Sequence, residues 1–147
     1  MFSEKAKELY HQLEKTKHMV VSTSWQDKVT SRTLSTIYKD GKLYFQTDRD
    51  FITTKQLKEN TNIALCSNNI QITGVAKIIG TTLENKELAK LYKEKHESSY
   101  ESYSSLPTTV MMEVTIDTVT MWVYRDKMPY ICQYDMATQE YTEKQYL

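Results

Sequence analysis

The sequence feature that most constrains the fold is a strand–turn–strand pattern over residues 29–47. The segment VTSRTLSTIY (29–38) shows the residue alternation of a strand. The turn Lys39-Asp40-Gly41-Lys42 follows, and KLYFQT (42–47) has the composition of a second strand. Asp-Gly supports the positive φ angles that a tight hairpin turn needs. The two segments are therefore predicted to pair as antiparallel strands.

Several other short segments have the composition of strands. The segments 62–67 and 70–79 are joined by Asn68-Asn69, which is again typical of a tight turn. The predicted strands are MVVST (19–23), NIALCS (62–67), IQITGVAKII (70–79), and a last pair formed by TVMMEVTID (109–117) and TVTMWVY (118–124). The tail from Arg125 to Leu147 shows no clear period.

Three segments are predicted to be helices. In the first, Phe2, Ala6, Leu9 and Leu13 follow helical spacing, and Ser3 is a candidate N-cap. The second helix is short. Its predicted cap is Thr53, and Gln56 three residues later completes a T-x-x-Q capping box.

The third helix is predicted over about residues 85–96, where Leu88, Leu91 and Tyr92 form an apolar stripe. The Ser- and Tyr-rich ESSYESYSSLP (97–107) is predicted to be a loop, and its Tyr100 and Tyr103 are candidates to cover a site. About six strands with three helices indicate an α+β fold, most simply a small closed sheet, because closure removes exposed edges.

Length and charge limit what the protein can be. A chain of 147 residues fits one domain, here residues 1–147, and a chain of this length buries roughly 68–70% of its unfolded surface. The 19 basic and 19 acidic residues balance, so neither nucleic acid nor a membrane is an expected partner. With no apolar spanning run and no signal peptide, and with Cys66 and Cys132 read as reduced thiols, we expect a cytoplasmic protein.

Most familiar site motifs are missing from the sequence. The three glycines, Gly41, Gly74 and Gly80, form no phosphate-binding loop. The three histidines, at positions 11, 18 and 96, lack ligand spacing, so no metal site is expected. No nucleophile elbow supports a Ser-His-Asp triad.

A polar strand-to-helix turn remains, TDRDFITT (47–54). Arg32, Thr47, Thr53 and Lys55 could converge at one end of the sheet. A helix N-terminus supplies free N–H groups and partial positive charge, and an arginine fork with hydroxyl donors would complete an anion site without glycine. The alternative is that Arg32 and Lys55 are only solvated and that Thr53 only caps its helix.

The run VTSRTLSTIYKDGKLYFQTDRDFITTKQLKENTNIALCSNNIQITGVAKIIG resembles the pyridoxamine 5'-phosphate oxidase-like family of FMN-binding split barrels. The resemblance covers residues 18–80 and extends more weakly through VTMWVY (119–124). It rests on the order and spacing of an arginine strand, the Asp-Gly hairpin, YFQT, a helix ending in QLKEN, and IQITGVAKIIG. It implies a six-stranded antiparallel split β-barrel with three inserted or flanking helices, and a homodimer that binds FMN at its interface.

The resemblance also implies roles for particular residues. Arg32 corresponds to a ligand of the FMN phosphate, and Thr33, Leu34 and Ser35 would run beside the isoalloxazine ring, largely through their backbone. The other implied cofactor-binding residues are Gln46 and Thr47 on the second strand, Gln71 reaching the flavin of the opposite subunit, Trp122 near the cofactor, and Thr53 and Lys55 on the short helix.

Three departures from the family pattern concern the phosphate and the substrate. The usual phosphate lysine aligns with Thr53, so Lys55 or Arg49 would have to replace it. Proline, common after the helix, is here Thr61. The stretch from Val123 to Met128 does not match the arginine- and histidine-containing substrate motif of the vitamin-forming oxidases.

These features favour an FMN-dependent oxidoreductase that acts on a small substrate other than pyridoxamine phosphate, with a nicotinamide as one possible reductant. The flavin would supply the redox chemistry, and no residue is assigned as catalytic acid or base. The alternative is a non-catalytic protein that holds flavin, deazaflavin or haem on the same barrel. Haem would require an axial histidine, and His96 is the only candidate outside the N-terminal segment.

Overall fold

The computed structural model describes residues 1–147, and every strand pairing in it is antiparallel. The helices are α1 (Phe2–Lys15), α2 (Ile52–Glu59), α3 (Lys86–Lys95) and α4 (Glu97–Tyr103). The strands are β1 (His18–Trp25), β2 (Lys28–Ser35), β3 (Ile37–Lys39), β4 (Lys42–Asp48), β5 (Asn62–Ser67), β6 (Ile70–Ile78), β7 (Thr109–Arg125), β8 (Met128–Asp135) and β9 (Glu140–Gln145). The α+β class is therefore confirmed, with nine strands rather than six and four helices rather than three.

The sheet has the order β2-β1-β5-β6-β7-β4-β3, and β8 and β9 continue it from β7. The Asp40-Gly41 hairpin is confirmed between β3 and β4, and both of its central residues have positive φ. The strand predicted over 29–38 is instead two strands. At Thr36 the backbone N–H donates to the carbonyl of Lys17, so β2 pairs with β1 while β3 pairs with β4.

The predicted last strand pair is one continuous strand, β7, of 17 residues. Asp117 is an extra residue at a bulge: Gly74 pairs with Ile116, whereas the preceding Thr73 pairs with Thr118. Glycine is required at position 74, because a Cβ there would lie 2.5 Å from the carbonyl oxygen of Thr115. The bulge lets one strand follow the curvature of the barrel.

Beyond the bulge, β7 pairs with β8, and β8 pairs with β9. The tail without a clear period is therefore a β-hairpin. It packs against α1, where the Tyr134 hydroxyl donates to the carbonyl of Lys5 at 3.1 Å and the ring of Phe2 contacts that of Tyr134.

The predicted helix caps are wrong, although the helices form. Met1 is the N-cap residue of α1 and Phe51 that of α2, and neither makes a side-chain capping bond. Ser3 lies inside α1, and Thr53 lies in the first turn of α2 with 3% of its surface exposed. Packing rather than capping holds these helices, since Leu9 and Leu13 of α1 and Leu57 of α2 all belong to the core.

The segment 97–107 contains helix α4 where a loop was predicted. Two apolar clusters explain the arrangement. A core of 20 buried residues fills the barrel, while Tyr44, Leu88, Tyr92 and others form a second cluster that seats α3 on the outside of β4. Five consecutive residues of β4, Leu43 to Thr47, are consequently buried.

No helix of the structure has the length and apolar character needed to cross a membrane.

Candidate functional site

A cavity of about 430 Å³ lies between the barrel and residues 82–107, which contain α3 and α4 and are called the α3–α4 segment below. This volume is within the range of small-molecule sites. β2 and β4 form one wall, and residues of α3, α4, the turns after β4 and α4, and the start of β7 form the other. The lining residues are Thr33, Leu34, Ser35, Gln46, Thr47, Asp48, Phe51, Tyr92, Ser99, Tyr103, Leu106 and Thr109. Five of the ten predicted cofactor-binding residues, Thr33 to Ser35 with Gln46 and Thr47, are therefore brought together here.

A second depression, of about 480 Å³, lies between α1, β3 and α3. It is an open groove lined mainly by charged side chains, including Glu14, Lys39 and Lys95, and it contains no predicted site residue. The cavity on β2 and β4 is the better candidate site, because it combines apolar walls with a few polar groups.

Arg32 directly precedes Thr33, the first β2 residue of the cavity wall, and its position in the strand alternation puts it on the same face of β2 as Leu34. Its guanidinium donates to Thr23 Oγ1 at 2.9 Å, to the carbonyl of Val21 at 3.2 Å, and to the hydroxyl of Thr30. All of these acceptors are neutral, and Arg32 forms no ion pair with a carboxylate. Burial lowers its pKa. The site thus holds a partly desolvated cation that lacks a counter-ion.

Gln56, a residue of α2, binds the two threonines that accept from Arg32. Its Oε1 accepts from Thr23 at 2.6 Å and from Thr30 at 2.7 Å, and its Nε2 donates to the carbonyl of Lys28 at 3.1 Å. Gln56 therefore does not complete a capping box with Thr53. It orients the same two hydroxyls that accept from Arg32.

The start of α2 offers backbone donors, and the structure fixes no side-chain cation beside them. The first-turn N–H groups, at residues 52–54, make no hydrogen bond. Thr53 is buried, and the exposed Lys55 forms neither an ion pair nor a side-chain hydrogen bond. Arg49 donates to the carbonyl of Pro107 at 2.9 Å. Neither proposed replacement for the family lysine is therefore held at the helix start, whereas the helix amides remain available to an anion.

The buried side chain of Gln46 forms its hydrogen bonds with the α3–α4 segment. Its Oε1 accepts from Thr82 at 2.7 Å and from Ser104 at 2.8 Å, and its Nε2 donates to the carbonyl of Ser99 at 3.4 Å. Gln46 thus lines the cavity while its amide ties the helical wall to β4.

Tyr92 lines the cavity, with 2% of its surface exposed. Burial raises the pKa of its hydroxyl, and hydrogen bonding to Ser99, Ser35 and Gln46 opposes that rise. The phenol is therefore protonated at neutral pH and can donate a hydrogen bond.

Gln71 and Trp122 do not line the cavity. Gln71 lies on β6, opposite Thr120, on an open face of the sheet, and Trp122 contacts the ring of Tyr146 with centroids 5.1 Å apart. The sequence-predicted residues thus fall in three places: the cavity wall, the region around α2 and Arg32, and this open face. Within one chain, the third group does not reach the first.

His96, the candidate haem ligand, is buried. Its Nε2–H donates to the carbonyl of Thr36 at 2.8 Å, which fixes the tautomer and leaves that nitrogen unable to bind iron. Burial is the main cause of its lowered pKa.

Cys66 is exposed, Cys132 is buried, and both are free thiols.

Tyr103, a predicted candidate to cover a site, does line the cavity, whereas Tyr100 does not. The lining residues that the sequence did not identify lie at the end of β4, in the turn after it, on the helical wall and at the start of β7: Asp48, Phe51, Tyr92, Ser99, Leu106 and Thr109. The sequence correctly assigns Tyr92 to the apolar stripe of α3. Its ring belongs to the second apolar cluster, with Tyr44 and Leu88, and it also lines the cavity. Position next to the QT of β4 was the only signal available for Asp48.

Comparison with known proteins places this geometry in context. The family model "Pyridoxamine 5'-phosphate oxidase" matches residues 3–123. The General Stress Protein 26 of Bacillus anthracis is a similar solved structure, with 23% identity, a TM-score of 0.60, and coverage of 78% of this chain and 91% of its own. A search of curated proteins gives no significant match.

Two further solved structures carry the name of a flavin. A pyridoxamine 5'-phosphate oxidase-related, FMN binding protein from Nostoc punctiforme has 12% identity and a TM-score of 0.62, and the match covers 97% of this chain and 96% of its own. A FAD-binding protein from Mesorhizobium loti has 11% identity and a TM-score of 0.62, with coverage of 78% and 91%. At these identities the likeness concerns the fold, and it confirms the predicted split barrel.

Proposed function

The chain belongs to the pyridoxamine 5'-phosphate oxidase family, and on this basis we propose that it is an FMN-dependent oxidoreductase acting on a small substrate. Members of this family bind flavin, and structural neighbours of the chain are named as FMN-binding and FAD-binding proteins. The choice of FMN, and of catalysis rather than storage, is our proposal.

The observation that carries the proposal is Arg32. A partly buried guanidinium surrounded by Thr23, Thr30 and the carbonyl of Val21 has neutral acceptors but no anion. Removing a cation from water is unfavourable unless an opposite charge compensates it. A terminal phosphate supplies that charge and accepts an arginine fork. Together with the unpaired amides at the start of α2, this favours FMN over riboflavin.

The cavity beside Arg32 suits the ring of the cofactor. Thr33, Leu34 and Ser35 on β2 and Gln46 and Thr47 on β4 form a continuous strand wall at that point. Bound flavin would supply two-electron redox chemistry. The role of this chain's residues would be to bind and orient the ring, with the α3–α4 segment excluding water from one side.

We propose a homodimer because of an uncharged face on β1, β5, β6 and β7. A shallow depression there is bordered by Val20, Ser22, Ala64, Cys66, Gln71, Thr73, Thr118 and Thr120, none of which is an acidic or basic residue. In a chain that is 26% charged, an uncharged face on a sheet is suited to a twofold contact. Such a contact would explain how Gln71 and Trp122 act on a cavity that they do not line.

The end of β7 supports the proposal that the substrate is not pyridoxamine phosphate. Arg125 forms an ion pair with Glu143 and lies over the ring of Tyr130, 5.3 Å from its centroid. It is therefore engaged within the C-terminal hairpin and is not free to bind a substrate phosphate. The cytoplasmic location and the single domain over residues 1–147 stay predictions.

Titration of the apoprotein with FMN, FAD and riboflavin tests the cofactor. We expect FMN to bind more tightly than either of the others, because the site offers a cation and helix amides to a terminal phosphate. Equal or tighter binding of FAD would contradict the assignment. Anaerobic reduction of the loaded protein by NADH, followed by reoxidation, then separates an oxidoreductase from a protein that only holds flavin.

A further inference from the structure

Three large apolar side chains surround the opening of the cavity. Phe51, at the start of α2, is 59% exposed, Tyr103, at the end of α4, is 56% exposed, and Leu106, just beyond it, is 45% exposed. They come from two separate parts of the chain and meet at one cavity. Exposed apolar side chains that cluster at a concave opening are typical of a binding site.

The cavity also has a single fixed charge. Among its twelve lining residues, only Asp48 is ionised at neutral pH. Thr108 Oγ1 donates to Asp48 Oδ2 at 2.6 Å, and the backbone N–H of Asp50 donates to Asp48 Oδ1 at 2.8 Å. These two donors hold the carboxylate in place and in its charged form.

The remaining polar groups of the lining are neutral, among them the hydroxyls of Ser35, Tyr92 and Ser99. No lysine or arginine borders the cavity. An anionic substrate would therefore meet an apolar rim and the Asp48 carboxylate. Arg49, whose charge acts on Asp48, lies outside the lining with its guanidinium bound to the carbonyl of Pro107.

We infer that the opening bounded by Phe51, Tyr103 and Leu106 binds the substrate of the proposed oxidoreductase, and that this substrate is an aromatic compound with neutral or positive charge. The inference rests on the proposed function, because the strand wall of the same cavity is assigned to the flavin. Asp48 acts as a specificity-determining residue: it attracts a cationic substituent and repels an anionic one.

Three benzene derivatives of similar shape test this inference: benzylammonium, benzamide and benzoate. Each is titrated into the FMN-loaded protein, and binding is followed by the change in flavin absorbance. We expect benzylammonium to bind at least as tightly as benzamide, and benzoate to bind about tenfold more weakly than benzamide, since a unit charge a few ångströms from a carboxylate near a protein surface is worth more than 1 kcal/mol.

Two matched variants assign the discrimination to one carboxylate. Asp48→Asn keeps an oxygen to accept from the Asp50 amide, and its Nδ2 can donate to the Thr108 hydroxyl, so it should bring benzoate to within about threefold of benzamide. Asp50→Asn removes a charge two residues away, on an exposed side chain outside the cavity, and should leave the order unchanged. Phe51→Ala and Tyr103→Ala should weaken all three probes.

The outcomes separate the two proposals. If the protein does not bind FMN, the proposed function fails and this inference fails with it. If FMN binds but benzoate and benzylammonium bind equally, or if Asp50→Asn acts as strongly as Asp48→Asn, only the inference is overturned. The inference is also overturned if Phe51→Ala and Tyr103→Ala change the sedimentation of the protein without changing probe binding, because the rim is then a subunit contact.

Discussion

The hydroxyl of Thr23 donates a buried 2.6 Å hydrogen bond to Oε1 of Gln56, and this bond joins β1 to α2. Thr30 of β2 donates to the same oxygen, and both threonine hydroxyls also accept from Arg32. One glutamine therefore holds two strands, a helix and the arginine to which we assign the cofactor phosphate.

Replacing Gln56 by Ala should lower the free energy of unfolding by about 1–3 kcal/mol, because two hydroxyls and the Lys28 carbonyl lose a buried partner. Urea unfolding measures the change. Lys55→Ala, at the exposed neighbouring position, is the control and should stay within about 0.5 kcal/mol of the unaltered protein. An equal loss in both variants would show that the network contributes little.

Replacing Arg32 by Ala should weaken FMN binding by about 1.5–3 kcal/mol, the range for hydrogen bonds to charged groups, and should change riboflavin binding little. Titration of both ligands on the same preparation gives the comparison. Arg49→Ala, which removes an exposed arginine bound to the Pro107 carbonyl, should affect neither ligand strongly. Equal losses for FMN and riboflavin would assign Arg32 to holding the fold.

Introducing a lysine at position 53 should tighten FMN binding by about 1 kcal/mol, the difference between a neutral and a charged hydrogen bond. The gain should shrink at high salt. Because Thr53 is buried and makes no cap, the expected cost is crowding in the first turn, seen as a lower unfolding midpoint. Thr61→Lys adds the same charge beyond the far end of α2. If it tightens binding equally, the effect is not local to this helix start.

His96 should make the protein less stable in mild acid. Burial, together with nearby Lys95, His18 and Lys17, lowers its pKa, so the unfolded chain takes up a proton that the folded chain does not. This contribution to stability is present above about pH 6.5, the ordinary histidine pKa, and is lost as the pH falls. The free energy of unfolding should decline by at most about 1.4 kcal/mol per pH unit from this group.

Unfolding measured from pH 7.5 to 5 tests the His96 prediction. The variant His96→Gln can still donate to Thr36 and should show a flatter profile. His11→Gln, at an exposed position on α1, should keep the original slope. An unchanged slope in His96→Gln would assign the acid sensitivity to other groups.

Sedimentation at micromolar concentration should give a mass near twice 17.3 kDa. Ala64→Glu places a charge on the uncharged sheet face, and like charges opposed across a twofold axis should raise the dissociation constant at least about tenfold. Ala137→Glu makes the same change in the turn between β8 and β9 and should leave the dimer intact. A monomer that still binds flavin would contradict the proposed interface.

The sequence by itself determined the elements whose signals are local. Asp40-Gly41 and Asn68-Asn69 are turns in which Asp40, Gly41 and Asn68 adopt positive φ, as these residue types readily do, and the residues around them alternate with the period of a strand. The apolar spacing of Ala6, Leu9 and Leu13 likewise defines α1. In each case, the interaction that shapes the backbone lies within a few residues of it.

Only the tertiary structure decided how these elements are divided and what their polar side chains bind. The alternation of 29–38 does not reveal that Thr36 donates to Lys17 and so divides it into two strands. Gln56 has the spacing of a capping box, yet its partners lie on β1 and β2. Asp48 accepts from Thr108, 60 residues further along the chain, only once the chain is folded. A side chain bonds to whichever group folding brings near it, and contacts between residues distant in the chain leave no periodic signal in the sequence.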